Sequence, residues 1–305
     1  MPPKSDATIP DLLKSPNFGE HFARLWLDVA RYADTANVTV PATKMVSYYP
    51  YAFTYRDYVI AAFNSDKPYD QFIKEQLAAD LMGIKGRAPE QAALGFIAVT
   101  PFLTNPNDFA DDMIDTTMRG LMGLTAACAR CHDHKFEPIP TADYYSLHGV
   151  FASIDRPAPQ DIEEFPGIDG YEATAEQKAD YTAKQQVVSK KIAEAKKSGR
   201  LVGARQKLSE VIKKSDLAEL ITFHDGAPVR AIVVKDKPRP STTKIFLRGE
   251  PDTRGDPAPR RFLKLLDPEQ TPFPEDNSGR LALAERIASK DNPLTARVFV
   301  NRVWG

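Results

Sequence analysis

Cys128 and Cys131 stand three residues apart and His132 follows at once, in the string Cys128-Ala129-Arg130-Cys131-His132. They are the only 2 cysteines in 305 residues, so all the thiol chemistry of the chain sits in one short loop. The spacing matches the CxxCH pattern of covalent haem attachment. Two thiols so placed can add across the two vinyl groups at one porphyrin edge. An imidazole directly after the second thiol is then held where a ring nitrogen reaches the iron. On that chemistry Cys128 and Cys131 anchor haem c and His132 is the proximal iron ligand. Three other outcomes use the same residues. A redox or structural disulfide needs only the CxxC, with His132 as a neighbour that lowers a thiol pKa. Zinc takes Cys128, Cys131 and two of His132, His134, His148, His21 and His224, although the usual two-histidine spacing is missing after the thiols. The last is a pair of reduced thiols without a role. Two cysteines exclude a disulfide framework and a four-sulfur cluster within one chain.

With haem bound, the sixth iron position matters, because an open site binds gas or peroxide and a filled one chiefly transfers electrons. His134 lies two residues from His132, too close in the chain to reach the opposite porphyrin face. Met113, Met118, Met122, His148 and His21 are the sixth-ligand candidates, each set against core packing or a surface imidazole. Arg130, Lys135 and Arg119 are candidate propionate partners. The leading function is a single-electron carrier. Its rival is a metal- or thiol-dependent hydrolase, or a carbohydrate-associated surface module, in which CxxCH serves as a zinc or disulfide element. That rival would draw acid and base groups from His21, Asp28, Asp34, His132 and His134, which nothing in the sequence brings together.

The elements that carry this loop are helical by period. Phe22, Leu25, Trp26, Val29 and Tyr32 recur at three- and four-residue steps and predict a helix over 20–32. Glu20, Arg24, Asp28 and Arg31 lie opposite, spaced for ion pairs along one face. Tyr55, Tyr58, Val59 and Phe63 mark a second helix. Phe72, Ile73, Gln76, Leu77 and Leu81 mark a third, with Pro68 before it and Gly83 as its C-cap. A fourth, over 108–125, carries Ile114, Met118, Leu121, Met122 and Thr125 straight into Cys128. Gly120 and Gly123 thin it, so that another backbone or a flat ligand can come close. Beyond the loop Pro138 and Pro140 force extended chain, and Thr141 is placed as N-cap of a helix through Phe151.

A boundary falls in the proline- and acid-rich stretch 155–170. Residues 174–214 are strongly helix-forming, with a break at Ser198 and Gly199, and predict a helical hairpin standing out from the core. Between 184 and 214 there are 10 Lys and Arg against Glu194 and Glu210, while 161–180 is acidic by 7 to 1. The simple expectation is a solvated pair of helices neutralised by that neighbour; the alternative is an anion-binding arm. Residues 229–234 and 244–247 predict two strands of a small sheet, 249–274 a long extended connection, and 279–289 and 293–304 two further helices. The chain is therefore expected to be mainly α: a helical haem-attachment domain over 1–153, a linker and charged helical-hairpin insertion over 154–228, and a small β segment leading into a truncated second helical domain over 229–305.

Hydrophobic residues make up 42% and charged residues 27%, which excludes a disordered or collagenous chain. A net charge of −1 leaves no global field to gather nucleic acid, and none is expected as a partner. No apolar run approaches the roughly 20 residues of a membrane span, and 1–10 has no signal-type apolar core. The last helix runs to Gly305 without a cap, so a piece of a longer protein is expected.

Several separated strings agree in order with a known family. They are His21-Phe22-Ala23-Arg24-Leu25-Trp26-Leu27-Asp28-Val29-Ala30-Arg31-Tyr32-Ala33-Asp34, Tyr55-Arg56-Asp57-Tyr58-Val59-Ile60, Pro68-Tyr69-Asp70-Gln71-Phe72, and Gly123-Leu124-Thr125 running into Cys128-Ala129-Arg130-Cys131-His132-Asp133-His134-Lys135-Phe136. Together they resemble the planctomycete cytochrome c-like domain of unknown function. Leu247-Arg248-Gly249-Glu250-Pro251, Gly279-Arg280-Leu281-Ala282-Leu283-Ala284, Asn292-Pro293-Leu294-Thr295-Ala296-Arg297-Val298 and Asn301-Arg302-Val303-Trp304 resemble the opening of the planctomycete C-terminal domain of unknown function that follows it. The resemblance implies a c-type haem motif in large exported proteins of the periplasm or cell surface, with no reaction assigned. A redox protein of unknown identity and a surface polysaccharide are the partners it suggests.

Overall fold

The protein is described by a computed structural model over residues 8–40, 45–99, 105–155, 164–202 and 206–304. It is mainly helical with small two-stranded sheets. A short α1 (Ile9–Lys14) leads into α2 (Asn17–Val29), whose apolar stripe buries Ala23 and Trp26. The helix ends earlier than its periodicity predicts, because Arg31 turns into the left-handed region at φ 58°. Arg31 then pairs with Asp112 at 2.6 Å instead of with its own helix. Among the described residues no ion pair joins Glu20, Arg24 and Asp28, so the expected charged face is plain solvated surface. The chain continues through an antiparallel hairpin, β1 (Thr35–Val40) with β2 (Met45–Tyr48), which the sequence did not announce.

Next come α3 (Ala52–Asn64), α4 (Tyr69–Ala78) and the single turn α5 (Gly95–Ala98). A 3-10 turn over Ala79–Leu81 follows α4 before Gly83, so that glycine lies beyond the helix cap while still taking a left-handed φ of 71°. Trp26 ties these helices together. Its Nε1 donates to the Tyr55 hydroxyl at 3.0 Å, and Tyr55 donates to Gln76 Oε1 at 2.7 Å, so a buried polar chain crosses three helices and ends at Gln76, whose Nε2 is left without a partner. The Trp26 ring meets Phe72 edge-on at 4.9 Å, the arrangement that ring quadrupoles favour.

α6 (Pro106–Thr117) starts two residues before the predicted helix, because the Asn105 side chain accepts from the Asn107 N–H at 2.9 Å and Pro106 suits the first turn. It loosens into a π turn over Met118–Met122 and stops at Gly123, φ 66°. The close approaches expected at the two glycines are made by side chains. A Cβ at Gly120 would lie 3.1 Å from Val29 Cγ1, and one at Gly123 2.9 Å from Val298 Cγ2. α7 (Thr141–Phe151) packs on α6. Its N-cap is Pro140 rather than Thr141, and the Thr141 N–H is taken by Asp133 Oδ1 at 2.8 Å.

β3 (Ile154–Asp155) precedes the acidic stretch, and the expected boundary lies partly outside the described residues at 156–163. α8 (Ala175–Ser198) opens with a capping box between Thr174 and Gln177 and closes at left-handed Gly199, the predicted break. Past a two-residue ladder, β4 (Leu201–Val202) with β5 (Gln206–Lys207), the return arm is α9 (Leu208–Ile212), a π turn and α10 (Ala218–Phe223). The hairpin has its own small core of Val188, Ile192, Ala195 and Ile212.

The predicted strand over 229–234 forms no ladder, only a bridge between Arg230 and Gly167, and Ala231, Ile232, Val233 and Val234 are buried. The ladder forms one step later, where β6 (Lys235–Asp236) pairs with β3. β7 (Thr243–Phe246) pairs with β8 (Arg254–Ala258), which lies in the stretch expected to be only a connection. α11 (Arg280–Ile287) and α12 (Pro293–Trp304) complete the chain. The main core is one cluster from Ala23 to Ile287, and it crosses the divisions drawn at 153 and 228. Arg280, fully buried, holds the C-terminal part to α4. It donates to Asp80 at 2.8 Å, to Asp236 at 2.7 Å and to the Leu77 carbonyl at 2.9 Å.

Candidate functional site

The CxxCH loop hangs between α6 and α7, and local backbone geometry presents both thiols. Ala127–Arg130 form a 3-10 turn closed by the Cys131 N–H donating to the Cys128 carbonyl at 3.3 Å. In that geometry side chains at i and i+3 stand above one another, so Cys128 and Cys131 share a face. Ala129, between them, is buried and pins the turn to the core. Both cysteines are exposed, free thiols, and His132 is exposed beside them.

His132 Nδ1 lies 2.8 Å from the Asp133 carbonyl. A carbonyl only accepts, so Nδ1 is the donor, and in the neutral ring the lone pair is then on Nε2, the tautomer in which that nitrogen can ligate a metal. His134 does different work. Its Nδ1 accepts the backbone N–H groups of Glu137 at 2.8 Å and Phe136 at 3.2 Å, and its Nε2 lies 3.3 Å from Thr125 Oγ1. Thr125 donates onward to Glu137 Oε1 at 3.3 Å. His134 therefore braces the loop and has no nitrogen to spare. Phe136 leaves its ring 83% exposed, with Lys135 Nζ 5.2 Å above it.

Behind the loop stands a layer that sequence reading missed. The Tyr145 hydroxyl lies 2.8 Å from the Arg130 carbonyl, to which it donates, and 3.4 Å from the Phe246 carbonyl. Burial pushes its pKa up to about 12, so it stays a donor. Gly249, φ 78°, lies so close to the second thiol that a Cβ there would stand 2.6 Å from Cys131 Sγ. Asp133 serves twice, its carbonyl orienting His132 and its carboxylate capping α7. The Gly249 contact spans the whole hairpin insertion, and no local pattern signals it.

The other candidates are scattered. Met113, Met118 and Met122 are packed in the core, and the Met122 sulfur accepts from Asn292 Nδ2 at 3.5 Å. His21 is exposed on α2 with its ring edge-on to Phe22. His148 is 4% exposed, flanked by Tyr145 and Phe246, and neither ring nitrogen has a partner. It lines a cleft of about 380 Å³ with Phe246, Lys237 and Arg254. Burial, then the charges of Arg130 and Arg254, bring its pKa down to about 4. Of the proposed propionate partners, Arg130 is engaged by Asp108 at 3.1 Å and Arg119 by Asp115 at 2.7 Å. Lys135 alone of the three has no carboxylate partner among the described residues.

The zinc set is not assembled. Among the described residues no three His, Cys, Asp or Glu side chains converge for a metal, and His224 is engaged by Asp180 at 3.0 Å on the hairpin. Nor do the acid and base groups of the hydrolase meet. Asp34 accepts from Tyr32 at 2.6 Å, and no hydrogen bond among the described residues joins the side chains of His21, Asp28, Asp34, His132 and His134. The chemistry of the donor set, two exposed thiols on one face followed by an imidazole with a free Nε2, fits a covalently held haem.

The family described as a protein of unknown function (DUF1549), PSCyt2, matches residues 2–156, half of the chain. The chain belongs to that family. A second family, a protein of unknown function (DUF1553), PSD1, matches residues 279–305, so the two domain types follow in the order that the motifs suggested. No curated protein and no solved structure matches the chain. No helix among the described residues is long and apolar enough to cross a membrane.

Proposed function

We propose that this chain is a c-type haem protein that accepts and donates single electrons, working in the periplasm or at the cell surface. Cys128 and Cys131 would form the two thioethers and His132 Nε2 would be the proximal ligand. The observation that carries this reading is the joint presentation of the three groups: both thiols exposed on one 3-10 turn, with the adjacent imidazole oriented by the Asp133 carbonyl. When bound, the haem supplies a one-electron couple at its iron. The chain's own part is to hold the anchors in register. Tyr145 fixes the backbone at Arg130, His134 stiffens the stretch after His132, and Asp133 joins the loop to α7. In thioether formation each S–H adds across a vinyl C=C, sulfur to one carbon and hydrogen to the other, so attachment needs no oxidant.

Export to the periplasm of a bacterium that makes c-type cytochromes, followed by intact-mass analysis and a pyridine haemochrome spectrum, tests the proposal. A gain of one haem, abolished in Cys128→Ala/Cys131→Ala while the circular dichroism is kept, is the expected result. A folded, colourless protein of unmodified mass would overturn it.

A further inference from the structure

The charged hairpin remains outside the haem reading, and its chemistry is specific. A cleft of about 650 Å³ opens at its distal end, lined by Lys196, Lys207, Lys213 and Lys214 together with Ser209, Glu210, Ala195 and Gly199. Lys196, Lys207 and Lys213 against Glu210 make a local field that the whole-chain charge of −1 conceals. Among the described residues no carboxylate of the acidic stretch forms an ion pair at this end. Asp180 pairs with Lys184 near the base of α8, and Lys191 takes Asp216 from the return arm. Lys196, Lys207 and Lys213 have no ion pair among the described residues. Position at a helix end explains only part of the cluster, because Lys196 complements the C-terminal dipole of α8 whereas Lys207 and Lys213 come from the other arm.

We propose that this cleft binds a small anion bearing two or more phosphate or sulfate groups. Like charges facing one cleft repel, and a multivalent anion between them relieves that repulsion at several ammoniums at once. The size fits, since sites for small molecules commonly enclose about 300–1,000 Å³. Lysines suit such a ligand as flexible point charges, with the Ser209 hydroxyl as an added polar group. The scaffold is firm, because Ala195 in the lining belongs to the hairpin's own core.

Titration calorimetry of the whole chain with inorganic tripolyphosphate is the test. Saturable one-to-one binding is expected, weaker by at least about tenfold in Lys196→Gln/Lys213→Gln. Lys190→Gln/Lys290→Gln, which removes the same charge elsewhere, is expected to bind as wild type does, and Lys196→Arg/Lys213→Arg to retain binding. The proposal fails if tripolyphosphate does not saturate, if the cleft and control pairs weaken it equally, or if binding is seen only with a polymer such as heparin.

Discussion

Replacing Gly249 by alanine tests the tertiary contact that shapes the candidate site. Two costs are expected, and they can be separated. The first is conformational: φ is 78°, and alanine in the left-handed region costs about 1–2 kcal/mol. The second is steric: the new Cβ would stand 2.6 Å from Cys131 Sγ. Ordinary contact begins near 3.5 Å, so the sulfur must retreat by about 1 Å. Overpacking of this kind costs about 1–3 kcal/mol in a tight core, and about 1 kcal/mol is expected here because an exposed thiol can turn away. Gly83→Ala is the control, since Gly83 has φ 71° with nothing within 4 Å of its Cβ position, and it incurs only the conformational cost. Urea unfolding should therefore rank wild type above Gly83→Ala above Gly249→Ala. Reaction with a chromogenic disulfide reagent gives the second readout, with only 2 thiols in the chain to react. Cys131, pushed toward solvent, should react faster in Gly249→Ala and unchanged in Gly83→Ala. Equal stability of the two variants together with unchanged thiol rates would refute the contact.

Three further outcomes follow from the geometry. Arg280→Met should destabilise by about 3 kcal/mol in urea unfolding, the low end of the range for breaking a buried ion pair, because Asp80 and Asp236 are left partly solvated. A loss below about 1 kcal/mol would place the latch among surface pairs. His148 is held neutral, with its folded pKa near 4 and its unfolded value near 6.5. The unfolded chain therefore binds more protons between those values, so stability is full above about pH 6.5 and falls as pH drops toward 4, by up to about 3 kcal/mol. In His148→Phe that slope of the urea midpoint should flatten, and an unchanged slope would contradict a buried neutral imidazole. His134→Ala strands the N–H groups of Phe136 and Glu137 at a half-buried site, an expected loss of about 1 kcal/mol. Limited proteolysis should then cut faster within 132–137, and an unaltered digestion pattern would remove His134 from its bracing role.

Much of this was legible from residue order, where the deciding forces are local. The apolar period of α2, the helix-forming segment that opens α8 after Thr174 and the break at Ser198 and Gly199 that ends it each act within a few residues. Where reading failed, a distant partner outweighed the local pattern. Arg31 was spaced for its own helix but turned to Asp112 on α6. The apolar run 229–234 buries Ala231 to Val234 without forming a ladder, while β7 found its ladder partner in Arg254–Ala258, which carries proline, glycine and charge. At the site, His134 read as a candidate zinc ligand or acid–base group and proved to be a brace.

Sequence by itself determined the identity and order of the reactive groups, because two thiols and an imidazole at fixed spacing are set by covalent connectivity. It determined the helical class too, because period and capping operate over single turns. Tertiary structure alone decided that Gly249 lies against one of the thiols and that His148 is sealed away. It also decided that the lysines of two arms meet in one cleft. Each of those depends on segments far apart in the chain being brought together by one shared core, and no local rule of spacing carries that information.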